Sequence, residues 1–287
     1  MDEKDGTWGT GEEVPGTGTL NAGGSASVSA LSCASDGYCA AGGSYGDAAR
    51  HDHAYVADET AGTWGTAVEL PGITALEGGG SSTVKSISCG APGDCAAVGT
   101  YTEASGLKSH AFVADETNGS WGNAIELPGS EALDTIGRGQ LTSVSCTAAG
   151  DCAAGGTYLD STGLYPLMDN ESGGTWATAR ALPSGTIDNT YGTFVTSLSC
   201  ASAGNCTAGG YYTDAAGHDQ AMLISETAGT WGAPFELPGT ATLNKGGVAH
   251  VRYVSCTAAG GCAAGGFYED SAKQEAAAAE GLASLFG

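Results

Sequence analysis

Ten cysteines set at a regular interval constrain this fold more than any other feature of the chain. They form five C-x5-C pairs whose first members lie 56, 57, 54 and 56 residues apart: Cys33/Cys39, Cys89/Cys95, Cys146/Cys152, Cys200/Cys206 and Cys256/Cys262. Five tryptophans, at positions 8, 64, 121, 176 and 231, keep nearly the same interval. Because two unrelated residue types share one period, the chain is a fivefold repeat. A period of this length with four short apolar runs predicts propeller blades.

One repeat, residues 83–127, serves to read the strands. VKSISC alternates apolar and polar residues and predicts strand A, the turn GAPGD follows, and CAAVGTYTE predicts strand B. HAFVADE and NAIELPG predict strands C and D on either side of the turn TNGSWG. The sequence therefore predicts an all-β, five-bladed β-propeller with four antiparallel strands and one A–B hairpin disulfide in each blade.

The two ends of the chain carry parts of one further repeat. MDEKDGTW at 1–8 aligns with ADETAGTW at 57–64, so Trp8 to Pro15 would supply a lone strand D. His250 to Cys256 and Cys262 to Asp270 would supply strands A and B of the same blade. We expect both ends to close the fifth blade, which removes an exposed sheet edge. Residues 1–275 are thus one propeller domain. The Ala-rich residues 276–287 are a weak strand or a tail, since Ala favours helix over strand.

Charge and cysteine usage limit the partners and the compartment. A net charge of −23 makes nucleic acid and anionic membranes improbable partners, because the surface repels phosphates. No run of about 18 apolar residues exists, so no membrane insertion is expected. The chain begins without a basic and apolar leader, so an export signal was either removed or never part of it. Regularly paired cysteines favour an oxidising compartment, which predicts a secreted, extracellular protein that is a monomer or part of a longer chain.

The cysteine pairs could also be considered as zinc ligands, since thiolates at short spacing bind zinc. One pair supplies two of four ligands, and no His or Cys recurs beside each pair to complete a site. We therefore expect five local disulfides, no metal and no cofactor. Each disulfide would close a loop of about seven residues, and the chain-entropy model gives roughly 2 to 2.5 kcal/mol of stabilisation for each.

The turn between strands C and D reads DETAGTW, DETNGSW, NESGGTW and SETAGTW in the four full copies. It resembles the Asp-box turn of sialidase-like propellers, although its spacing differs by one residue. That resemblance implies a structural role for the turn and its tryptophan. In architecture the whole chain resembles five-bladed lectin propellers of the tachylectin type, which place one sugar site per blade in the clefts between blades. No site residue carries over, because the repeat here is longer and contains disulfides that the family pattern lacks.

A tyrosine followed two positions later by an acid recurs at the end of strand B. An aromatic ring packs on the C–H face of a sugar, while a carboxylate accepts hydrogen bonds from its hydroxyls. The alternative is that the tyrosine packs between blades and the acid caps a turn. The candidate ligand-binding residues are Tyr45, Asp47, Tyr101, Glu103, Tyr158, Asp160, Tyr212, Asp214, Tyr268 and Asp270.

An enzyme is the competing class, because five-bladed propellers also host glycosidases with two carboxylates at the cleaved bond. Such a site needs acids that break the fivefold pattern, and most acids here repeat. The sequence contains no G-x-S-x-G, no H-E-x-x-H and no phosphate-binding loop. The residues that depart from the repeat are Arg50, His51, His53, Lys108, Arg138, Tyr165 and Tyr191. His51 and His53 resemble a metal-binding pair, but in a loop such residues are more often solvated.

The sequence thus predicts a non-enzymatic, lectin-like binding module that binds glycans multivalently through loops and clefts on one face. Its expected partner is a glycan or a cell-surface protein. Two alternatives stay open at this point: a protein-interaction or adhesion module, and a glycosidase-like propeller enzyme.

Overall fold

The structure is a computed structural model that describes residues 3–4, 6–183, 185–188, 190–257, 261–271 and 273–280. At the amino end, β1 (Glu3–Lys4) and β2 (Thr7–Trp8) form a small antiparallel pair. Five larger antiparallel sheets follow in chain order, one for each repeat. The predicted all-β class is confirmed.

The strands of the five sheets have the following bounds. Sheet 1 contains β3 (Ala26–Ser35), β4 (Tyr38–Gly46), β5 (Asp52–Thr60), β6 (Thr63–Trp64) and β7 (Val68–Glu69). Sheet 2 contains β8 (Ser81–Ala91), β9 (Asp94–Thr102), β10 (Ser109–Thr117), β11 (Ser120–Trp121) and β12 (Ile125–Glu126). Sheet 3 contains β13 (Gln140–Ala148), β14 (Asp151–Leu159) and β15 (Leu164–Asn170). Sheet 4 contains β16 (Gly192–Ser202), β17 (Asn205–Thr213), β18 (Asp219–Thr227), β19 (Thr230–Trp231) and β20 (Phe235–Glu236). Sheet 5 contains β21 (Ala249–Cys256), β22 (Cys262–Asp270) and β23 (Lys273–Glu280).

Strands A, B and C of the predicted repeat are the three long strands of every sheet, whereas strand D differs from the prediction. In sheets 1, 2 and 4 it is reduced to two pieces of two residues each, such as β11 and β12, which both pair with β10. Among the described residues, sheets 3 and 5 contain only three strands. The expectation of four full strands in each blade is therefore wrong.

The chain leaves the sheet after strand D through a Leu-Pro-Gly or Val-Pro-Gly step that starts a short helix. A glycine in the left-handed region precedes each helix, with φ of 77° at Gly72 and 81° at Gly129. Glycine tolerates this conformation without a steric penalty. The helices that follow are α1 (Thr17–Leu20), α2 (Ile73–Glu77), α3 (Ser130–Leu133) and α4 (Thr240–Leu243).

All five predicted disulfides are present and join strands A and B within each sheet. The cysteines of each pair lie directly opposite each other, as Cys146 and Cys152 do in sheet 3. The A–B turn also contacts the C–D turn of its own sheet, since the Gly119 N–H donates to the Gly93 carbonyl at 2.8 Å. Disulfides and C–D turns therefore lie on one side of the molecule, here called the disulfide side.

Neighbouring sheets pack face to face through strand B of one and strand A of the next. A side chain at Gly42 would lie only 2.7 Å from Ile87 and 2.9 Å from Val84, which are both buried. The small residues of strand B thus let the next sheet approach closely. Serines add hydrogen bonds between sheets, as Ser88 accepts from the backbone N–H of Cys146 at 2.9 Å.

The predicted closure of the fifth blade within one chain is absent from the described residues. Thr7–Trp8 pairs with Glu3–Lys4 instead of with sheet 5, and β23 pairs only with β22. The Pro15 carbonyl accepts from Ala67, which holds the amino-terminal segment on sheet 1. Residues 273–280 of the Ala-rich end form strand β23, and residues 281–287 lie outside the described part. In the part of the chain that the structure describes, sheets 1 and 5 are therefore open ends of the array.

None of the helices in the described part of the chain is long and apolar enough to cross a membrane. The five disulfides are typical of proteins from an oxidising compartment. Secretion itself stays a prediction.

Candidate functional site

The tyrosines predicted to bind a ligand lie at the end of strand B, opposite the disulfide side, and four of them are buried. Tyr45, Tyr101, Tyr158 and Tyr212 are 5–6% exposed, and Tyr268 is half-buried. The Tyr101 hydroxyl donates to Glu126 of strand D at 2.9 Å. Burial and the neighbouring Glu236 raise the pKa of Tyr212 to about 12. Tyr45, Tyr101 and Tyr212 thus join strand B to strand D of their own sheets, whereas Tyr158 packs against Tyr165 of strand C.

The acids of the same pattern mostly hold turns. Asp47 accepts from the backbone N–H of His51 at 2.8 Å, and this bond lowers the pKa of Asp47. Asp160 accepts from the hydroxyl and backbone of Thr162, which lowers the pKa of Asp160. Partners of the other three acids include His110 for Glu103, His218 for Asp214 and Ser271 for Asp270. That these ten residues bind a ligand stays a prediction.

The two histidines that resembled a metal-binding pair are separated by their surroundings. His51 is exposed, whereas His53 is 9% exposed and lies between Glu77 and Asp47. Burial acts to lower the pKa of His53, but the charges and hydrogen bonds of the two acids outweigh it, so the pKa is raised. No group of three potential ligand residues that could hold a metal occurs in the described ranges.

A second set of acids lies on the disulfide side, at the end of strand C. Alternation along the strand sends neighbouring residues to opposite faces. Asp58 therefore reaches the next sheet, where both of its oxygens lie 3.0 Å from the indole nitrogen of Trp121. Trp176 and Asp115 repeat this contact between sheets 2 and 3. The glutamate that follows each of these aspartates is almost fully buried, with Glu116 at 5% exposure.

These acids line three clefts between successive sheets. The first cleft, between sheets 1 and 2, has a volume of about 230 Å³, and the second cleft, between sheets 2 and 3, is of the same size. The third cleft, between sheets 3 and 4, has a volume of about 280 Å³. Acids and polar residues of the first cleft include Tyr38, Asp58, Glu59, Thr60, Glu116 and Asn118.

The first cleft holds two carboxyls with different electrostatic surroundings. Burial, followed by the charges of Asp58 and Asp94, raises the pKa of Glu116 to about 7. Burial also raises the pKa of Asp58, but the hydrogen bond from Trp121 acts against this. Near neutral pH Glu116 is therefore about half-protonated, beside an Asp58 that the Trp121 indole orients.

The second cleft repeats this pair, and the third cleft does not. In the second cleft, burial and the charges of Asp115 and Asp151 raise the pKa of Glu171 to about 7. In the third cleft Asn170 stands where Asp58 and Asp115 stand in the earlier copies. Of the described residues that line these three clefts, one is aromatic: Tyr38 at the rim of the first cleft, which is 36% exposed.

The sequence predicted a structural role for the disulfide side, and the pairing of Asp58 with Glu116 was missed. Asp58 and Glu59 read as part of a turn that recurs in every full copy, so no single acid stood out. The available signal was Tyr38, an aromatic residue in the first A–B turn with no counterpart in the other four.

Comparison with known proteins gives only distant structural matches. No family model matches the chain, and no curated protein matches it. A structure of the Hadza microbial sialidase Hz136 shares 11% identity at a TM-score of 0.48, over 88% of this chain and 52% of that one. The catalytic domain of a GH62 α-L-arabinofuranosidase from Coprinopsis cinerea shares 11% identity at a TM-score of 0.40, over 91% and 93%. The α-L-arabinofuranosidase PaAbf62A from Podospora anserina shares 10% identity at a TM-score of 0.39, over 86% of each chain.

These matches correct the function expected from the sequence. All three proteins are glycoside hydrolases or sialidases with propeller-type folds, which contradicts the expectation of a non-enzymatic, lectin-like module. The expectation that the chain is no enzyme is contradicted by the same matches. At 10–11% identity the likeness concerns the fold, and it assigns no activity and no residue to this chain. The resemblance to tachylectin-type propellers stays a prediction.

Proposed function

We propose that the chain is a glycoside hydrolase whose active site is the first cleft. Glu116 is the proton donor and Asp58 is its carboxylate partner. The observation that carries this proposal is the pairing of the two groups in one cleft, where the pKa of Glu116 is raised to about 7 beside an oriented Asp58. Glycosidases use two such carboxyls in unlike protonation states.

Each group has a definite part in the reaction. Protonated Glu116 donates its proton to the oxygen of the leaving group as the glycosidic bond breaks. Water then adds to the anomeric carbon, and the proton that it loses restores the acid form of Glu116. Asp58, held at both oxygens by the Trp121 indole, stabilises the positive charge that develops on the sugar ring. The exposed ring of Tyr38 offers a surface for the C–H face of a sugar.

The charge of the cleft favours a neutral glycan as substrate. The described residues that line the first cleft include Asp58, Glu59 and Glu116 but no Lys, Arg or His. A sugar with its own carboxylate would meet only negative charge there, on a protein whose net charge is −23. Neutral hexosides and pentosides therefore fit the site better than sialosides.

Hydrolysis of glycosides with good and poor leaving groups tests the role of Glu116. A poor leaving group, such as an alkyl alcohol or a second sugar, needs protonation, whereas 4-nitrophenolate needs little. We expect Glu116→Gln to lower kcat about 10²- to 10⁴-fold on alkyl glycosides and oligosaccharides, with a much smaller loss on 4-nitrophenyl glycosides. Asp58→Asn should lower kcat on both.

Glu226→Gln in the third cleft is the matched control, because Glu226 has the same place in its sheet but faces Asn170. It should keep the activity of the unsubstituted chain. Equal losses in Glu116→Gln and Glu226→Gln would contradict the assignment of the first cleft. So would a disulfide-intact protein with no turnover on any neutral glycoside.

The number of blades belongs to the same proposal. Five sheets of similar topology, each packed on the next, support a five-bladed propeller arrangement. Small-angle scattering of the purified chain at low concentration would test this, because a helical stack of five sheets gives a longer maximum dimension than five blades around one axis with a gap between sheets 1 and 5.

A further inference from the structure

The same interface occurs between all successive sheets, and it shows which contacts an uncovered sheet at either end does not make. Strand A of each following sheet covers the small residues of strand B. A side chain at Gly209 of sheet 4 would come within 2.5 Å of Val251 and 2.8 Å of Val254 in sheet 5. Ser199 accepts at the same interface from the backbone N–H of Cys256 at 3.0 Å. The same serine bond occurs between all four pairs of neighbouring sheets.

Sheet 5 exposes the face that, in sheets 1 to 4, is covered by strand A of the following sheet. Gly265 is its counterpart of Gly209, and a side chain built there would meet nothing within 4 Å. Ser255, the counterpart of Ser199, is exposed. Sheet 5 therefore has the surface of an inner sheet without the sheet that should cover it.

Sheet 1 exposes the other half. Val28 and Leu31 of β3 are 50% and 59% exposed, whereas their counterparts in sheet 2, Val84 and Ile87, are 0% and 6% exposed. The two ends of the array are thus complementary surfaces of one interface that the chain already forms four times.

Among the described residues, sheet 5 also has no strand D, and the position of that strand is open. In sheets 1 and 2, the residues between the two pieces of strand D lie against the glycine before the preceding helix, so a side chain at Gly16 would come within 2.5 Å of Thr66 and one at Gly72 within 2.9 Å of Asn123. The corresponding position beside sheet 5 is Gly239, where a side chain would meet nothing within 4 Å. A cavity of about 90 Å³ lies here, lined by Gly239, Val251, Gly265 and Ala278 among others.

The amino-terminal segment has the features of the missing strand. Glu13 aligns with Glu126 of β12, and one oxygen of each accepts from the hydroxyl at the start of the next helix, 3.0 Å from Thr17 and 3.2 Å from Ser130. The second oxygen of Glu126 accepts from Tyr101. By register, Glu13 would accept from Tyr268, which is the one tyrosine of this pattern that is only half-buried. Trp8 is 68% exposed, unlike the other four tryptophans.

We propose that sheet 5 of one molecule docks on β3 of a second copy and takes residues 8–15 of that copy as its strand D. The occupant is a second copy because the two complementary faces, β3 and strand B of sheet 5, are both open in the described part of one chain. The bond from Ala67 to Pro15 keeps the segment on the copy that supplies β3, as the bond from Ala124 to Pro71 does between sheets 1 and 2. The contact joins unlike surfaces, so it is heterologous and continues head to tail. It departs from the monomer expected from the sequence and does not depend on the proposed activity.

Two variants, each blocked at one end, test this arrangement. Gly265→Val adds a side chain that a lone chain can accommodate but that would collide with Val28 and Leu31 of a docked copy. Leu31→Asp places a charge on an already exposed position of β3. Leu107→Asp, at a loop residue that is 74% exposed, is the control. Mass is measured by light scattering against protein concentration at high salt, which screens the negative charge of the chains.

We expect the unsubstituted chain and Leu107→Asp to form species larger than a dimer as concentration rises. Each blocked variant alone should stay monomeric, because it retains only one working end. An equimolar mixture of the two should give a dimer and nothing larger, since only one pair of ends can join. An unsubstituted chain that stays monomeric throughout, or a mixture that does not dimerise, would overturn the proposal in favour of closure within one chain.

Discussion

The first and third clefts are built alike, yet an aspartate lies beside the buried glutamate in the first cleft and an asparagine does so in the third. In each cleft a tryptophan of the following sheet donates its indole N–H to the end of strand C. Trp121 donates to Asp58 and Trp231 to Asn170, both at 3.0 Å. The scaffold contact is therefore the same whether the acceptor is a carboxylate or an amide.

The pKa of the buried glutamate beside that contact depends on whether the acceptor is an aspartate or an asparagine. Asn170 donates its amide to Glu226, which acts to lower the pKa that burial raises. Asp58 has no donor to offer, and its charge adds to burial in raising the pKa of Glu116. The exchange of Asp for Asn at this position thus gives the two glutamates different surroundings. Glu116 faces a second carboxyl, which favours its protonated form, whereas Glu226 accepts a hydrogen bond from a neutral amide.

Apart from catalysis, we expect the two clefts to differ most in how their buried glutamates make the free energy of unfolding depend on pH. The folded-state pKa of Glu116, about 7, lies above the ordinary glutamate value of 4.5. Folding therefore loses stability as pH rises from about 4.5 to 7, because the unfolded state releases its proton first. The full loss, present above pH 7, is up to about 3 kcal/mol. Glu116→Gln removes it, so the variant should be more stable than the unsubstituted chain at pH 8 and nearly equal at pH 4.5.

Guanidinium unfolding at both pH values, with disulfides intact, measures this difference. Glu226→Gln is the comparison, and its gain at pH 8 should be smaller because Asn170 already stabilises the Glu226 carboxylate. Parallel stability curves for Glu116→Gln and the unsubstituted chain would show that Glu116 titrates normally in the folded state.

A smaller effect should follow from exchanging the acceptors themselves. Asn170→Asp removes the donor to Glu226 and adds a charge beside it, so the pKa of Glu226 should rise. At pH 8 we expect a loss of stability of about 1–3 kcal/mol, the range for a buried polar group that loses its partner. Asp58→Asn should act in the opposite direction on Glu116 and lower its pKa.

Carboxyl chemical shifts of Glu116 and Glu226, followed by NMR against pH in each variant, give the two pKa values directly. The control is Asp47→Asn, which removes an exposed turn acid on the opposite side of the molecule and should leave both pKa values unchanged. A lower pKa of Glu226 in Asn170→Asp would show that electrostatic repulsion does not cause the difference between the two glutamates.

Much of the fold could be predicted from the cysteines and the alternating strands. Cys146 and Cys152 are close enough in sequence to face each other only across a tight hairpin, and the structure has them in register. Strand D was overestimated because NAIELPG has the apolar character of a strand. Pro128 has no N–H for a ladder, and Gly129 turns the chain into a helix at φ 81°, so pairing stops after Glu126.

The candidate site could not be predicted in the same way, because its chemistry depends on contacts between repeats. Glu116 has an ordinary neighbourhood along the chain, and the carboxyl that helps raise its pKa, Asp58, comes from the preceding repeat. The period that revealed the fold also made these acids look equivalent. The packing of neighbouring sheets is what shows that Asn170 and Asp58 have different effects on the pKa values of the adjacent glutamates.

The smallest effect concerns the tryptophan contact that both clefts share. Trp121→Phe removes a hydrogen bond to a carboxylate, and such bonds contribute about 1.5–3 kcal/mol, whereas Trp231→Phe removes a bond to an amide worth about 0.5–1.5 kcal/mol. Both variants also lose the packing of the larger ring, and this loss is greater at Trp231, which is 8% exposed, than at the partly exposed Trp121. We expect the hydrogen-bond contribution to be about 1 kcal/mol larger at Trp121 at pH 8, and guanidinium unfolding of both variants against pH separates it from packing. The difference should shrink as acid protonates Asp58, and because burial raises the pKa of Asp58, this should begin above the pH at which an exposed aspartate titrates. A difference that stays constant through that range would mean that shape, and not the charge of the acceptor, separates the two contacts.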